Sequence, residues 1–179
     1  MRIISYSLAT VAAAALLTAA TGNRGVTQNP KSPPAETSIT LAGQKVTIEY
    51  NAPSANGRKV EGGLIPYTEY YRLGADNATT LTADTNLMIG NLKVPKGVYT
   101  LYLHAKENGD WQLAVNKETK QWGTVYHANM DLGRTPMKLT KLATPLEKFT
   151  ITLTSKSATA GELAVEWGQT KAVVPVSAE

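Results

Sequence analysis

The chain has 179 residues, of which 42% are hydrophobic and 18% are charged. These values are typical of a globular protein with one domain and a sizeable core. It contains no cysteine, which excludes disulfide bonds and thiolate metal sites. The formal net charge is +4 and the basic residues are scattered. We therefore expect no nucleic-acid partner, because such surfaces usually show a dense basic stripe.

Residues 1–21 have the pattern of a signal peptide. Arg2 gives a basic start, an apolar stretch follows, and Thr18-Ala19-Ala20 is compatible with cleavage after Ala20. The alternative is an uncleaved anchor helix, but the apolar stretch is short for a hydrocarbon layer of roughly 30 Å. We therefore expect an exported protein, periplasmic or extracellular, with no stable membrane span after cleavage. Residues 22–36 contain three prolines and little apolar material, which indicates a flexible leader.

Alternating apolar and polar residues predict short strands through a single domain, residues 37–177. A first hairpin is expected around Ala42-Gly43, and Gly168-Gln169 is expected to turn between the last two strands. The predicted strands are residues 39–41, 45–51, 79–83, 86–89, 98–105, 111–116, 134–142, 147–155, 162–167 and 170–176. No long amphipathic helix pattern follows residue 21. The predicted fold is all-β: a two-sheet antiparallel β-sandwich of about eight to ten strands with two elaborated loops.

The hairpin formed by residues 98–105 and 111–116 is the clearest element. A three-residue loop, Glu107-Asn108-Gly109, places Leu103 opposite Leu113 and puts Gly109 where positive φ is needed. A two-residue loop would instead pair a core face with a solvent face, because a slip of one residue reverses the faces. His104 falls on the polar face, where we expect it to be solvated.

The two elaborated loops, residues 57–80 and 117–129, hold the candidate site. Arg58 and Arg72 flank the first loop, with Asp76 and Asn77 close behind. One interpretation is a polar cleft in which arginine grips a carboxylate or phosphate. The other is that Arg72 pairs with Asp76 or with backbone carbonyls and holds the loop in place.

Aromatic residues are concentrated in the same two loops. Exposed together, they would form a flat platform suited to sugar rings or to a protein interface. Otherwise they cover the ends of the sandwich. The set is Tyr67, Tyr70, Tyr71, Trp122 and Tyr126.

Recognisable motifs for catalysis or cofactor binding are absent from the sequence. It has no Gly-x-Ser-x-Gly, no phosphate-cradling glycine loop and no dinucleotide fingerprint. A zinc site could use His104 and His127 plus a carboxylate such as Asp131, but there is no HExxH and no close histidine pair. We predict no metal and no cofactor.

A set of glycines, prolines, arginines and aromatic residues occurs in a recognisable order along the chain. They are Gly57, Arg58, Pro66, Tyr67, Arg72, Gly74, Ala75, Pro95, Gly97, Tyr99, Trp111, Asn116, Trp122, Gly123 and Trp167. This pattern resembles a bacterial family known as domain of unknown function 2911. The resemblance covers most of the chain beyond the leader and implies an exported, mainly β domain with no established activity. Tyr71 stands where the family usually has tryptophan, and Asp76 stands where it has asparagine.

We therefore predict a non-catalytic binding module of the bacterial envelope. Its partner would be a small molecule, a glycan or another envelope component, with a carbohydrate or a small anion as the ligand. One alternative is a hydrolase with Arg58, Arg72 and Asp76 in a cleft, and another is a purely structural envelope component. The predicted ligand-binding residues are Arg58, Tyr67, Tyr71, Arg72, Asp76, Asn77, Trp122 and Tyr126.

Overall fold

A computed structural model describes residues 31–67 and 70–179. The predicted signal peptide and most of the predicted leader lie outside the described residues. The described residues form one short 3-10 helix, Ala128–Met130, and ten strands. The strands are β1 Pro34–Leu41, β2 Gln44–Asn51, β3 Thr80–Ala83, β4 Leu87–Ile89, β5 Leu92–Val94, β6 Gly97–His104, β7 Gln112–Asn116, β8 Asp131–Pro136, β9 Lys138–Ser155 and β10 Ala160–Ala178. In the described ranges no helix has the length and apolar character needed to cross a membrane.

The strands form two antiparallel sheets, which confirms the predicted all-β sandwich. The first has six strands in the order β1-β2-β3-β6-β7-β8, and the second has four in the order β5-β4-β10-β9. Inward side chains from both sheets make one apolar core. Leu101, Leu103 and Leu113 enter it from the first sheet, while Phe149 and Leu163 enter from the second, and all five are buried. Alternating residues face this core because successive side chains on a strand point to opposite sides.

The β6–β7 hairpin has the predicted register. Leu103 lies opposite Leu113, and His104 lies opposite Gln112. Gly109 has a φ of 84°, and its amide donates to the carbonyl of Lys106 at 3.0 Å. The three-residue loop is therefore confirmed, because only this loop length keeps the apolar faces together.

The outer face of β6 is not the solvated surface that its polar residues predicted. Tyr102 is fully buried and His104 is half-buried. Residues 117–130 cover part of this face. The Tyr102 hydroxyl donates to the backbone carbonyl of Val125 and accepts from the side-chain amide of Gln121. Alternation assigns a side chain to a face of the sheet, but it does not show whether a distant loop covers that face.

Strand boundaries differ from the prediction in several places, and β5 lies in no predicted strand. β1 begins at Pro34, so the last residues of the predicted leader pair with β2, with Pro34 opposite Asn51. The strand predicted at residues 134–142 is divided between β8 and β9. The predicted turn at Gly168 is a β-bulge inside the continuous strand β10. Gly168 has a φ of 57°, which a bulge accommodates most easily with glycine.

The two long loops meet at one end of the sandwich. They are residues 52–79, between β2 and β3, and residues 117–130, between β7 and β8. Gly123 donates its amide to the carbonyl of Asp76 at 2.8 Å, and Asn77 forms an isolated bridge with Trp122. Tyr71 also forms a bridge with Leu103, at the end of β6. These backbone bonds fix the first loop to both the sheet and the second loop.

Candidate ligand-binding site

A cavity of about 530 Å³ lies against the first loop and the segment preceding β1. Four of the eight predicted binding residues line it: Arg58, Tyr71, Arg72 and Asp76. Trp167, from β10, also lines it. Lys31, from the segment preceding β1, is a third cationic residue in the lining. The cavity therefore brings three cations, one carboxylate and aromatic surface into one concavity.

Arg58 is held in place by its own loop. Its Nε donates to the carbonyl of Ala55 at 2.8 Å, and its Nη2 donates to the carbonyl of Ser54 at 2.9 Å. Among the described residues, no carboxylate lies within salt-bridge distance of Arg58. A guanidinium has five N–H donors, so this exposed side chain keeps donors for another acceptor.

Arg72 is half-buried and is anchored through its stem. Its Nε donates to the carbonyl of Gly74 at 3.3 Å. Its Cδ lies close to Gly123, where an added β-carbon would come within 2.9 Å of it. Arg72 makes no salt bridge with Asp76. The expected contact between Arg72 and a backbone carbonyl is therefore present. The alternative expectation, an ion pair between Arg72 and Asp76, is wrong.

Asp76 closes the side of the cavity next to the start of β1. Its Oδ2 accepts the amides of Lys31 at 2.8 Å and Ser32 at 2.7 Å. Its φ is 58°, a left-handed conformation that Asp and Asn tolerate better than most residues. The carboxylate therefore fixes the segment before β1, and one of its two oxygens is already occupied.

Tyr71 forms the inner wall of the cavity and belongs to the core. Its ring stacks on Trp167 with 6.2 Å between centroids and meets Phe149 edge-on. Its hydroxyl donates to the carbonyl of Gly74 at 3.0 Å, and burial raises its pKa. The interpretation of a single exposed aromatic platform is therefore wrong, because Tyr71 faces the interior.

A second, smaller hollow of about 240 Å³ adjoins the cavity. It is lined from the first loop by Leu64, Pro66, Tyr70, Tyr71 and Arg72, and from the second loop by Gly123 and Thr124. Leu64, Tyr71 and Arg72 line both spaces. The two loops therefore converge on one composite concavity, with Arg72 at the junction.

A family model described as "Protein of unknown function (DUF2911)" matches residues 32–176. The chain belongs to this family. No curated protein and no solved structure gives a match. Within this DUF2911 chain, many of the positions that carry the family resemblance lie around the concavity. Seven of them line the cavity or the hollow: Arg58, Pro66, Arg72, Gly74, Ala75, Gly123 and Trp167.

The other four predicted binding residues lie elsewhere in the DUF2911 fold. Tyr67 is partly buried against the core, with its ring over Gly62. Asn77 and Trp122 form the bridge between the two loops. Tyr126 lies on the outer face of the first sheet, where it packs against Tyr70 and Tyr102.

Tyr126 is the centre of a polar network that sequence reasoning missed. Its hydroxyl donates to Asp131 Oδ2 at 2.7 Å, accepts from Arg134 Nη2 at 2.8 Å and lies 3.1 Å from His104 Nε2. Burial and the Asp131 carboxylate raise the pKa of Tyr126 to about 12. Burial and the Arg134 charge lower the pKa of His104. The alternation of β6 indicates that His104 faces outward. No pattern in the sequence indicates that it meets Tyr126 from the second loop and the charged residues of β8.

Two further arrangements bear on the choice of site. A hollow of about 550 Å³ on the first sheet is lined by Glu36, which lies opposite Glu49, and contains no arginine. Within residues 31–67 and 70–179, no group of three or more His, Asp or Glu side chains is placed to hold a metal ion. His127 instead contacts Glu118, at 2.7 Å. The arginine cavity is therefore the better candidate for an anion.

Proposed function

We propose that this protein is a non-catalytic binding protein whose cavity takes a small anion, a carboxylate or a phosphate, between Arg58 and Arg72. The observation that carries the proposal is that both arginines line one cavity without a carboxylate partner among the described residues. A guanidinium presents a planar fork of donors that matches carboxylate and phosphate oxygens.

The anchoring of both arginines supports this proposal. Arg58 is bonded to two backbone carbonyls and Arg72 to one, so neither side chain is free to move far. Restricting a long side chain before binding reduces the entropy that is lost when the ligand arrives. Among the described residues that line the cavity, Asp76 supplies the one carboxylate, and it already accepts two backbone amides through Oδ2. Asp76 thus has less capacity to compete for the arginines.

The hydrolase alternative shares the same cavity, because Arg58, Arg72 and Asp76 all line it. It is less well supported for two reasons. Of the cavity-lining residues in the described part of the chain, Asp76 is the one carboxylate and none is a histidine. A hydrolytic site generally needs a positioned base or a base–nucleophile pair. Because the sequence predicts a signal peptide, we also propose that the protein binds this anion in the periplasm or outside the cell.

Binding of inorganic phosphate, acetate and citrate to the purified protein, measured by isothermal titration calorimetry, tests the proposal. Hydrogen bonds to charged groups contribute about 1.5–3 kcal/mol each. We therefore expect Arg72→Gln and Arg58→Gln each to weaken binding by about tenfold or more. Arg72→Lys keeps the charge and removes the fork, so it should fall between wild type and Arg72→Gln.

Lys93→Gln is the matched control, because it removes one positive charge from β5, outside the residues that line the cavity. It should leave anion affinity unchanged. The proposal fails if no anion binds, or if Lys93→Gln and Arg72→Gln weaken binding equally. Thermal unfolding of each variant establishes that the fold is retained.

A further inference from the structure

We infer that the anionic ligand carries a flat aromatic group, which occupies the hollow beside Arg72. The inference rests on the proposed function, because it assigns the anionic part of the ligand to the arginine cavity. It adds the chemical class of the remainder of the ligand.

The size and lining of the hollow favour a ring. Its volume is about 240 Å³, and a cavity of about 150 Å³ is enough to hold benzene. Leu64, Pro66 and the ring of Tyr70 supply apolar surface, and Gly123 adds no side chain that would fill the space. Ligand pockets of this kind combine apolar walls with a few placed polar groups.

The aromatic wall is held in a fixed position. The Tyr70 hydroxyl donates to the carbonyl of Thr124 at 2.6 Å. The Tyr70 ring packs against Tyr126 at 4.4 Å and against Tyr102 at 5.4 Å between centroids. Aromatic pairs at such distances stabilise a particular ring orientation. A ligand ring would therefore meet a surface that needs little reorganisation.

Arg72 connects the two parts of the concavity. It lines both spaces, its stem lies against Gly123, and its Nε is bonded to the carbonyl of Gly74. A guanidinium plane binds an anion through its edge and stacks on an aromatic ring through its face. One ligand with an acidic group next to an aromatic ring would use both surfaces of the same side chain.

Calorimetry with paired ligands tests this inference: inorganic phosphate with phenyl phosphate, and acetate with benzoate. We expect the aromatic member of each pair to bind at least about tenfold more tightly, which corresponds to about 1.4 kcal/mol. Glucose 1-phosphate, which is also larger than phosphate but lacks an aromatic ring, should not show this advantage.

Two tryptophan substitutions in the second loop locate the ring. Thr124→Trp would fill the hollow from an exposed position, and it should reduce the aromatic advantage to less than about threefold. Asn129→Trp places the same side chain in the same loop, outside the residues that line the hollow, and should preserve the advantage. Arg72→Gln should weaken both members of each pair.

The outcomes separate the two proposals. Equal binding of aromatic and simple anions, equal binding of glucose 1-phosphate and phenyl phosphate, or an advantage that survives Thr124→Trp would overturn the aromatic assignment and leave the anion site standing. If neither the simple nor the aromatic anions bind, both proposals fail.

Discussion

The hydroxyl of Tyr126 has one proton and two lone pairs, and three neighbours use them. The proton goes to Asp131, and Arg134 donates to one lone pair. His104 Nε2, at 3.1 Å, must then donate to the remaining lone pair. The neutral imidazole of His104 therefore carries its proton on Nε2. A single phenol in this way connects β6, β8 and the second loop.

Stability should depend on the protonation of His104. Burial and the charge of Arg134 hold the folded pKa of His104 below its usual value, while Asp131 partly opposes them. Between that folded pKa and about 6.5, the unfolded chain binds more protons than the folded chain. The contribution of His104 to stability is therefore present above about pH 6.5 and is lost as the pH falls through this window.

The variant His104→Gln keeps an N–H donor for Tyr126 and removes the titration. We expect its free energy of unfolding, measured in urea from pH 5 to pH 8, to change less between pH 7 and pH 5 than that of the wild type. The two proteins share all their other titratable groups, so the difference between the two curves reports His104 together with the groups coupled to it. Parallel curves would show that His104 does not contribute.

At the scale of single residues, the sequence singled out the two arginines that line the cavity and missed the network around Tyr126. Arg58 and Arg72 stand out in the sequence because they flank an irregular loop, with Asp76 and Asn77 close behind. The alternation of β6 places His104 on the outer face and therefore predicts a solvated side chain. The burial of that face depends on residues 117–130, and no local pattern in β6 records it.

At the scale of elements, the bulge in β10 links the second sheet to the first loop. Glu61 Oε1 accepts the amide of Gln169 at 2.9 Å and the hydroxyl of Thr170 at 2.8 Å. A β-carbon on Gly168 would come within 2.8 Å of the same carboxylate. Glycine at this position therefore allows the strand and the loop to approach closely.

Replacing Glu61 with alanine should destabilise the protein by about 1–2 kcal/mol, because two donors at the bulge lose their acceptor. Glu61→Gln keeps an acceptor oxygen and should cost clearly less. Urea denaturation of the two variants gives the comparison. Equal losses would mean that the negative charge of Glu61, and not its two accepted hydrogen bonds, stabilises the bulge.

The sequence contained a partial record of this bulge. Before Gly168 the large buried apolar side chains are at odd-numbered positions, as at Leu163 and Val165, and after it they are at even-numbered positions, as at Val174 and Val176. Such a change of phase requires an irregularity, since side chains alternate with a period of two. A turn and a bulge both produce it, so the pattern alone did not distinguish them.

At the scale of the whole molecule, Phe149 joins the two sheets and the first loop. It is fully buried on β9 and meets Tyr50 at 5.8 Å, Tyr71 at 5.9 Å and Trp167 at 5.6 Å between centroids. These three partners come from β2, the first loop and β10. The ring therefore supports the inner wall of the cavity as well as the core.

We expect Phe149→Ala to lower the free energy of unfolding by about 3–5 kcal/mol, because it removes a buried ring and leaves a void. Val98→Ala is the control, since Val98 is 49% exposed and should cost less than about 0.5 kcal/mol. Denaturation midpoints at constant m-value report both changes. Similar losses for the two variants would contradict the position of Phe149 at the centre of the core.

The sequence by itself determined the class of fold, the pairing of β6 with β7 and the positions of the two irregular loops. These features depend on neighbouring residues: the alternation of side chains, the conformations of glycine and proline, and loop length. Only the tertiary structure decided that Arg72 meets Gly123, that Tyr71 turns into the core and that the second loop covers Tyr102 and His104. Such contacts join positions far apart in the chain, and they depend on how the two sheets pack, which no local pattern encodes.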